Sequence, residues 1–214
     1  MEGYNTFQEF EVFKDKGLRC GPDLVVLNYV LNDPEPGEYY FADNFFSRNS
    51  ALYRYILYRI KKGLIKMERK RLNIKTEPEH FNYLHSGESF KHLEEEFQEM
   101  ASLLELRKIK LVVNIFPVSS LAVEDFKDNY PYWHIHKMIK GIEHQNIIFV
   151  DAIDEFNRLG MSPQEVSINY KYNESHKNAK ALGVMAGLLY RVFTDNNLIP
   201  ESASPAREAK FEHL

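Results

Sequence analysis

Asp23-Leu24-Val25-Val26-Leu27-Asn28-Tyr29-Val30, running on into Leu31-Asn32-Asp33-Pro34, is the stretch that decides the fold. A short, nearly continuous apolar run rich in β-branched residues reads as a strand buried on both faces, as strands of parallel sheets are. The cluster Asn32-Asp33-Pro34-Glu35-Pro36-Gly37 then turns the chain. Two later runs repeat the pattern: Lys110 to Phe116, stopped by Pro117, and Asn146 to Asp151. Helical rhythms separate them. Thr6-Phe7-Gln8-Glu9 has the capping-box pattern, with Thr6 as N-cap of a helix to about Lys16 and Gly17 placed to end it. Asn49 to about Leu72 carries Leu52, Ile56, Ile60, Leu64 and Met67 on one stripe, and a further helix spans about Ser89 to Arg107. Pro131 fits the first turn of a helix through about Ile142, a short helix follows Asp151, and a last one covers about His176 to Thr194 after an irregular stretch from Met161 to Ser175. Strands alternating with helices predict an α/β fold, a parallel sheet with helices on both faces. Ligands of such sheets gather at the carboxyl ends of the strands, so the residues after Val30, Phe116 and Val150 are the ones to inspect.

The chain has 214 residues, 44% hydrophobic and 27% charged, a globular balance suited to one domain of ordinary size. Its single cysteine, Cys20, cannot close an internal disulfide. No apolar run reaches the length of a membrane span, and the first residues lack the pattern of a signal peptide, so a cytoplasmic location is the default expectation. Charge is unevenly spread. Between Tyr53 and Lys75 lie nine basic residues and one acid, Glu68, so that segment carries +8 and the rest −12. Either this is a solvated helix face whose apolar stripe packs on the domain, or it meets an anionic surface such as lipid headgroups or nucleic acid. The absence of a nucleic-acid motif and the acidic total favour the first reading.

Two loops hold polar groups suited to acyl transfer. An Asn side chain fixed at Asn32 could donate to a developing oxyanion. A His at His176, oriented by Asn173 three residues earlier, could act as general base. Here the sequence resembles the SGNH (GDSL-type) hydrolases, a family of esterases, lipases and carbohydrate deacetylases. Gly3-Tyr4-Asn5-Thr6-Phe7-Gln8-Glu9 is similar to the family's second block, Pro22 to Leu27 with Asn32-Asp33 to its third, and His176-Lys177-Asn178-Ala179 to its fifth. Val112 to Val118 is similar to its fourth strand, so the resemblance runs from Gly3 to about Phe193. It implies a flavodoxin-like three-layer sheet ordered 2-1-3-4-5. It further implies His176 as catalytic base, an oxyanion hole from the Gly3 amide and Asn32, an ester or acetylated substrate, and no metal or organic cofactor. Residues 1–195 would form the domain, about 38–108 a helical insertion or lid beside the site, and 196–214 a polar tail.

Three departures accompany the match. The family's first block, a strand ending in Gly-Asp-Ser, lies upstream of the second, where this chain begins. Val30 stands where the third block opens with Gly, and Asn173 stands where the fifth has Asp. An Asn orients the imidazole without stabilising its charged form, a change that costs ~10⁴ in turnover in the serine-protease template. Gly87-Glu88-Ser89 imitates Gly-Asp-Ser, but nothing before it reads as a buried strand and Ser89 reads as a helix cap. His134 and His136 lack a third metal ligand, Asp151 and Asp154 read as scaffold, and Glu174 is offset by one residue from the orienting position. The expectation is therefore an SGNH-type hydrolase domain without its Ser block. The rivals are a non-catalytic module holding an acyl or carbohydrate ligand and an interaction protein using the basic helix. An unpaired edge on the strand at Asp23–Tyr29 would also favour self-association.

Overall fold

Each apolar run forms a strand. β1 (Leu24–Val30), β2 (Lys110–Phe116) and β3 (Ile147–Asp151) lie parallel in the order β1-β2-β3. Leu24 to Val30 pair in step with Lys110 to Phe116, and Leu111 to Ile115 with Ile147 to Asp151. The fold is thus α/β, an open three-stranded parallel sheet with helices in the connections. The structure, a computed structural model, describes residues 5–34, 50–172 and 174–199.

By register, Leu27 and Tyr29, Val113 and Ile115, and Phe149 share one face of the sheet. Onto it packs a helix, Gly87–Glu105, whose spacing of Leu93, Phe97, Met100 and Leu104 puts all four in the core. Phe97 is fully buried, edge-on to Tyr29 at 5.6 Å and tilted against Phe149 at 6.3 Å. Phe10, from the first helix, joins the same cluster. The Tyr29 hydroxyl donates to His85 Nε2 at 2.7 Å, and His85 Nδ1 donates to the Phe81 carbonyl at 2.8 Å. Burial holds the His85 imidazole down at about 4, which keeps it neutral and able to accept from Tyr29.

The opposite face is closed at Val112, Asn114 and Val150 but not on β1, where Val26 and Val30 are each 36% exposed and Asn28 faces solvent. Burial on both faces therefore holds for β2 and fails for β1. Among the described residues β1 pairs only with β2, so its outer edge has no neighbour. A groove follows that edge, lined by Val12, Phe13 and Cys20 on one side and Val25 and Val26 on the other.

The α-helices of the described residues, in chain order, are α1 (Thr6–Asp15), α2 (Ala51–Arg71), α3 (Glu77–Leu84), α4 (Gly87–Glu105), α5 (Trp133–Lys140), α6 (Ala152–Arg158), α7 (Pro163–Val166) and α8 (Ala179–Asp195). Several starts differ from expectation. Asn5 rather than Thr6 caps α1: its Oδ1 accepts from Gln8 N at 2.9 Å, and Gln8 reaches back to the Asn5 amide. Ser86 occupies the N-cap position of α4, so Ser89 lies inside the helix. Tyr132 precedes α5, and Pro131 stands outside it. The stretch 161–175 contains α7 and β4 (Ser167–Asn169), and at its end begins β5 (Glu174–Lys177), which pairs antiparallel with β4.

The largest correction concerns α2. Among the described residues its apolar stripe does not pack on the domain: Leu52 is 68% exposed, Ile60 54% and Leu64 61%. Tyr83 of α3 donates to Glu68 at 2.9 Å and steadies the helix from its polar side.

Because Phe97 fills the centre of the covered face, Phe97→Ala should cost about 3–5 kcal/mol. Leu106→Ala, at a side chain 84% exposed, should change stability by less than about 0.5 kcal/mol. Urea unfolding of both variants measures the difference.

Candidate functional site

Val30 is in register with Phe116, so the turns after β1 and β2 leave the sheet from the same end. In the first turn, Asp33 folds back: its Oδ2 accepts from the Val30 amide at 2.9 Å, while its own amide donates to the Val30 carbonyl at 2.9 Å. Burial pushes the Asp33 carboxyl well up, the Val30 amide counters part of this, and Glu9 adds to the rise. With Leu31 and Asp33 turned inward, Asn32 between them is exposed. The turn role and the donor role foreseen for Asn32 are thus compatible, since Asp33 does the holding.

The second turn is pinned from behind. The Val118 amide donates to the Tyr130 hydroxyl at 3.0 Å, Tyr130 donates to His136 Nε2 at 2.9 Å, and His136 Nδ1 donates to Asp151 at 3.0 Å. Lys140 closes the chain on Asp151 at 2.9 Å. Burial alone would raise the Asp151 carboxyl, but the bonds from His136 and Lys140 outweigh it and hold it below the ordinary value. Ser120 and Tyr132 both donate to Glu77 at the start of α3, Tyr132 at 2.7 Å. Both nitrogens of His136 are thereby occupied, while His134 faces solvent. Among the described residues, no three metal-ligating side chains converge.

The carboxyl-terminal segment meets the loop after β2 at a buried contact, and Tyr170 adds a second tie by donating to the Val123 carbonyl at 3.0 Å. Lys177, the last residue of β5, donates from Nζ to Ser119 Oγ at 2.9 Å, and both residues are buried. Burial brings the ammonium down to about 7. Alternation along β5 leaves His176 exposed beside buried Lys177. His176 lies on this strand, not at a helix start. Asn178 is the N-cap of α8, accepting from Ala181 N at 3.0 Å and donating to the Glu165 and Ser167 carbonyls at 2.7 and 3.1 Å. Gly3 and Asn173 lie outside the described residues. Near the start of α1, Thr6 Oγ1 and Glu9 Oε2 are buried and have no hydrogen-bond partner among the described residues; burial raises the Glu9 carboxyl.

Of the residues singled out from sequence, Asn32 and His176 are on segments brought to one end of the sheet, both facing water. Ser119 and Lys177 were missed. Ser119 sits three residues past Phe116, in the region flagged for inspection, but nothing in its type announced the partner. No family model, curated protein or solved structure matches this chain.

The depressed ammonium has a thermodynamic signature. Between about 7 and 10.5 the unfolded chain holds a proton on Lys177 that the folded chain has lost, so stability rises with pH across that window. Lys177→Met should flatten this rise between pH 7 and 9, seen by urea unfolding at the two values. An unchanged slope would show that Lys177 is solvated.

Proposed function

We propose that this chain carries the greater part of an SGNH-type site acting on an ester or acetyl group. His176, oriented by Asn173, is the general base, and the Asn32 side chain with the Gly3 amide forms the oxyanion hole, as the resemblance implies. One observation carries the reading: the Lys177–Ser119 bond ties the segment bearing His176 to the sheet end where Asn32 is exposed. The chemistry needs neither metal nor organic cofactor. A serine on the family's Gly-Asp-Ser block attacks the carbonyl, His176 takes its proton and returns it to the leaving alcohol, and water repeats the sequence on the acyl-enzyme. The full three-layer sheet belongs to this reading too, with a further strand along the outer edge of β1. The unpaired polar atoms of Thr6 and Glu9 support such a neighbour, because buried polar groups are rarely left without partners. In its absence the edge beside Val26 and Val30 favours self-association.

A second reading, a module that holds an acyl or carbohydrate ligand without cleaving it, draws on a separate fact. The two serines after β2 are buried, Ser119 against Lys177 and Ser120 against Glu77, so neither hydroxyl is open to a substrate.

Fluorophosphonate should leave the chain unlabelled. Joined behind a strand ending in Gly-Asp-Ser, it should hydrolyse 4-nitrophenyl acetate. His176→Ala should then cost about 10²–10⁴ in kcat, and Asn32→Ala about 10²–10³. Ligand retention without turnover supports the module. Turnover indifferent to both substitutions contradicts the hydrolase reading.

A further inference from the structure

We propose that α2 is an interfacial helix that lies in the surface of an anionic phospholipid bilayer, a role separate from the site above. Its 21 residues form a regular helix, opened by Ser50 Oγ accepting from Tyr53 N at 3.1 Å. At 100° per residue, Leu52, Ile56, Ile60, Leu64 and Met67 occupy one side, an arc of about 120°. All five are exposed, from 46% at Ile56 to 69% at Met67. A helix buries such a stripe somewhere, and among the described residues nothing of its own domain covers this one.

Charge selects the occupant. Nine basic residues accompany the stripe between Tyr53 and Lys75, against the single acid Glu68, while the rest of the chain is strongly acidic. Glu68 is itself engaged by Tyr83 and Arg71. Arg59 and Lys66, both exposed, border the apolar arc on one side. A second copy docking stripe to stripe would bring two like-charged helices together. Nucleic acid would satisfy the lysines and arginines but leave the apolar arc in water. An anionic bilayer satisfies both: the apolar arc enters the acyl boundary, and the basic side chains extend to the headgroups. No described helix is long and apolar enough to cross the membrane, so α2 lies along the surface.

The test uses the full chain and sedimentation with vesicles of diether lipids, which contain no ester to hydrolyse and so keep the result independent of the hydrolase reading. The chain should bind vesicles containing phosphatidylglycerol, bind phosphatidylcholine alone weakly, and lose binding as salt rises. Ile60→Glu with Leu64→Glu should abolish binding. Arg59→Glu with Lys66→Glu should weaken it about tenfold or more. These side chains are exposed, and circular dichroism checks that each variant folds. Failure to bind phosphatidylglycerol vesicles, or binding indifferent to the Ile60/Leu64 change, overturns the proposal. So does retention on heparin without vesicle binding, which identifies a polyanion, or a stripe-dependent dimer without vesicle binding, which identifies a second copy.

Discussion

The buried hydrogen bond from Lys177 Nζ to Ser119 Oγ is the interaction on which the carboxyl end of the sheet depends. It joins residues 58 positions apart and docks β5 against the turn after β2. A lysine is an expensive residue to bury, and here the cost is met by surrendering its proton near neutrality. The turn it grips is rigid because Val118, Tyr130, His136 and Asp151 form a continuous polar chain behind it. Satisfied networks of this kind fix one geometry, and here they position a segment whose neighbouring His176 faces solvent.

The rest of the fold is arranged around that end. Parallel pairing brings the turns after β1 and β2 to one side, and Phe97 locks the covered face of all three strands beneath them. Asp33 spends its carboxylate on the Val30 amide, which leaves Asn32 free to face outward. On the far face and outer edge of β1 the packing stops. Val26, Asn28 and Val30 are exposed there, and near the start of the neighbouring helix α1 the oxygens Thr6 Oγ1 and Glu9 Oε2 have no hydrogen-bond partner among the described residues. An exposed apolar edge and unpaired polar atoms fit a sheet that continues beyond β1 in the hydrolase reading.

The three strands and most of the helices were legible because long apolar runs and helical periods survive in the sequence. Lys110–Phe116 was placed to the residue for this reason. Caps were less legible: Asn5 and Thr6 are both good N-caps, and only geometry chooses between them. The β4–β5 pair was invisible because Ser167–Asn169 and Glu174–Lys177 are short and polar, with no alternating apolar signal. This hid the strand position of His176 and the inward turn of Lys177. The stripe on α2 was legible as amphipathicity, but periodicity does not say what an apolar face meets.

The docking of Lys177 on Ser119 can be read directly from the proton on that lysine. A pH titration of the Lys177 Nζ resonance by nuclear magnetic resonance should give a midpoint of about 7 if the side chain is buried against the sheet. A midpoint near the ordinary 10.5 would mean that Lys177 is solvated and not held against Ser119, which contradicts the tie between the segment bearing His176 and this end of the sheet.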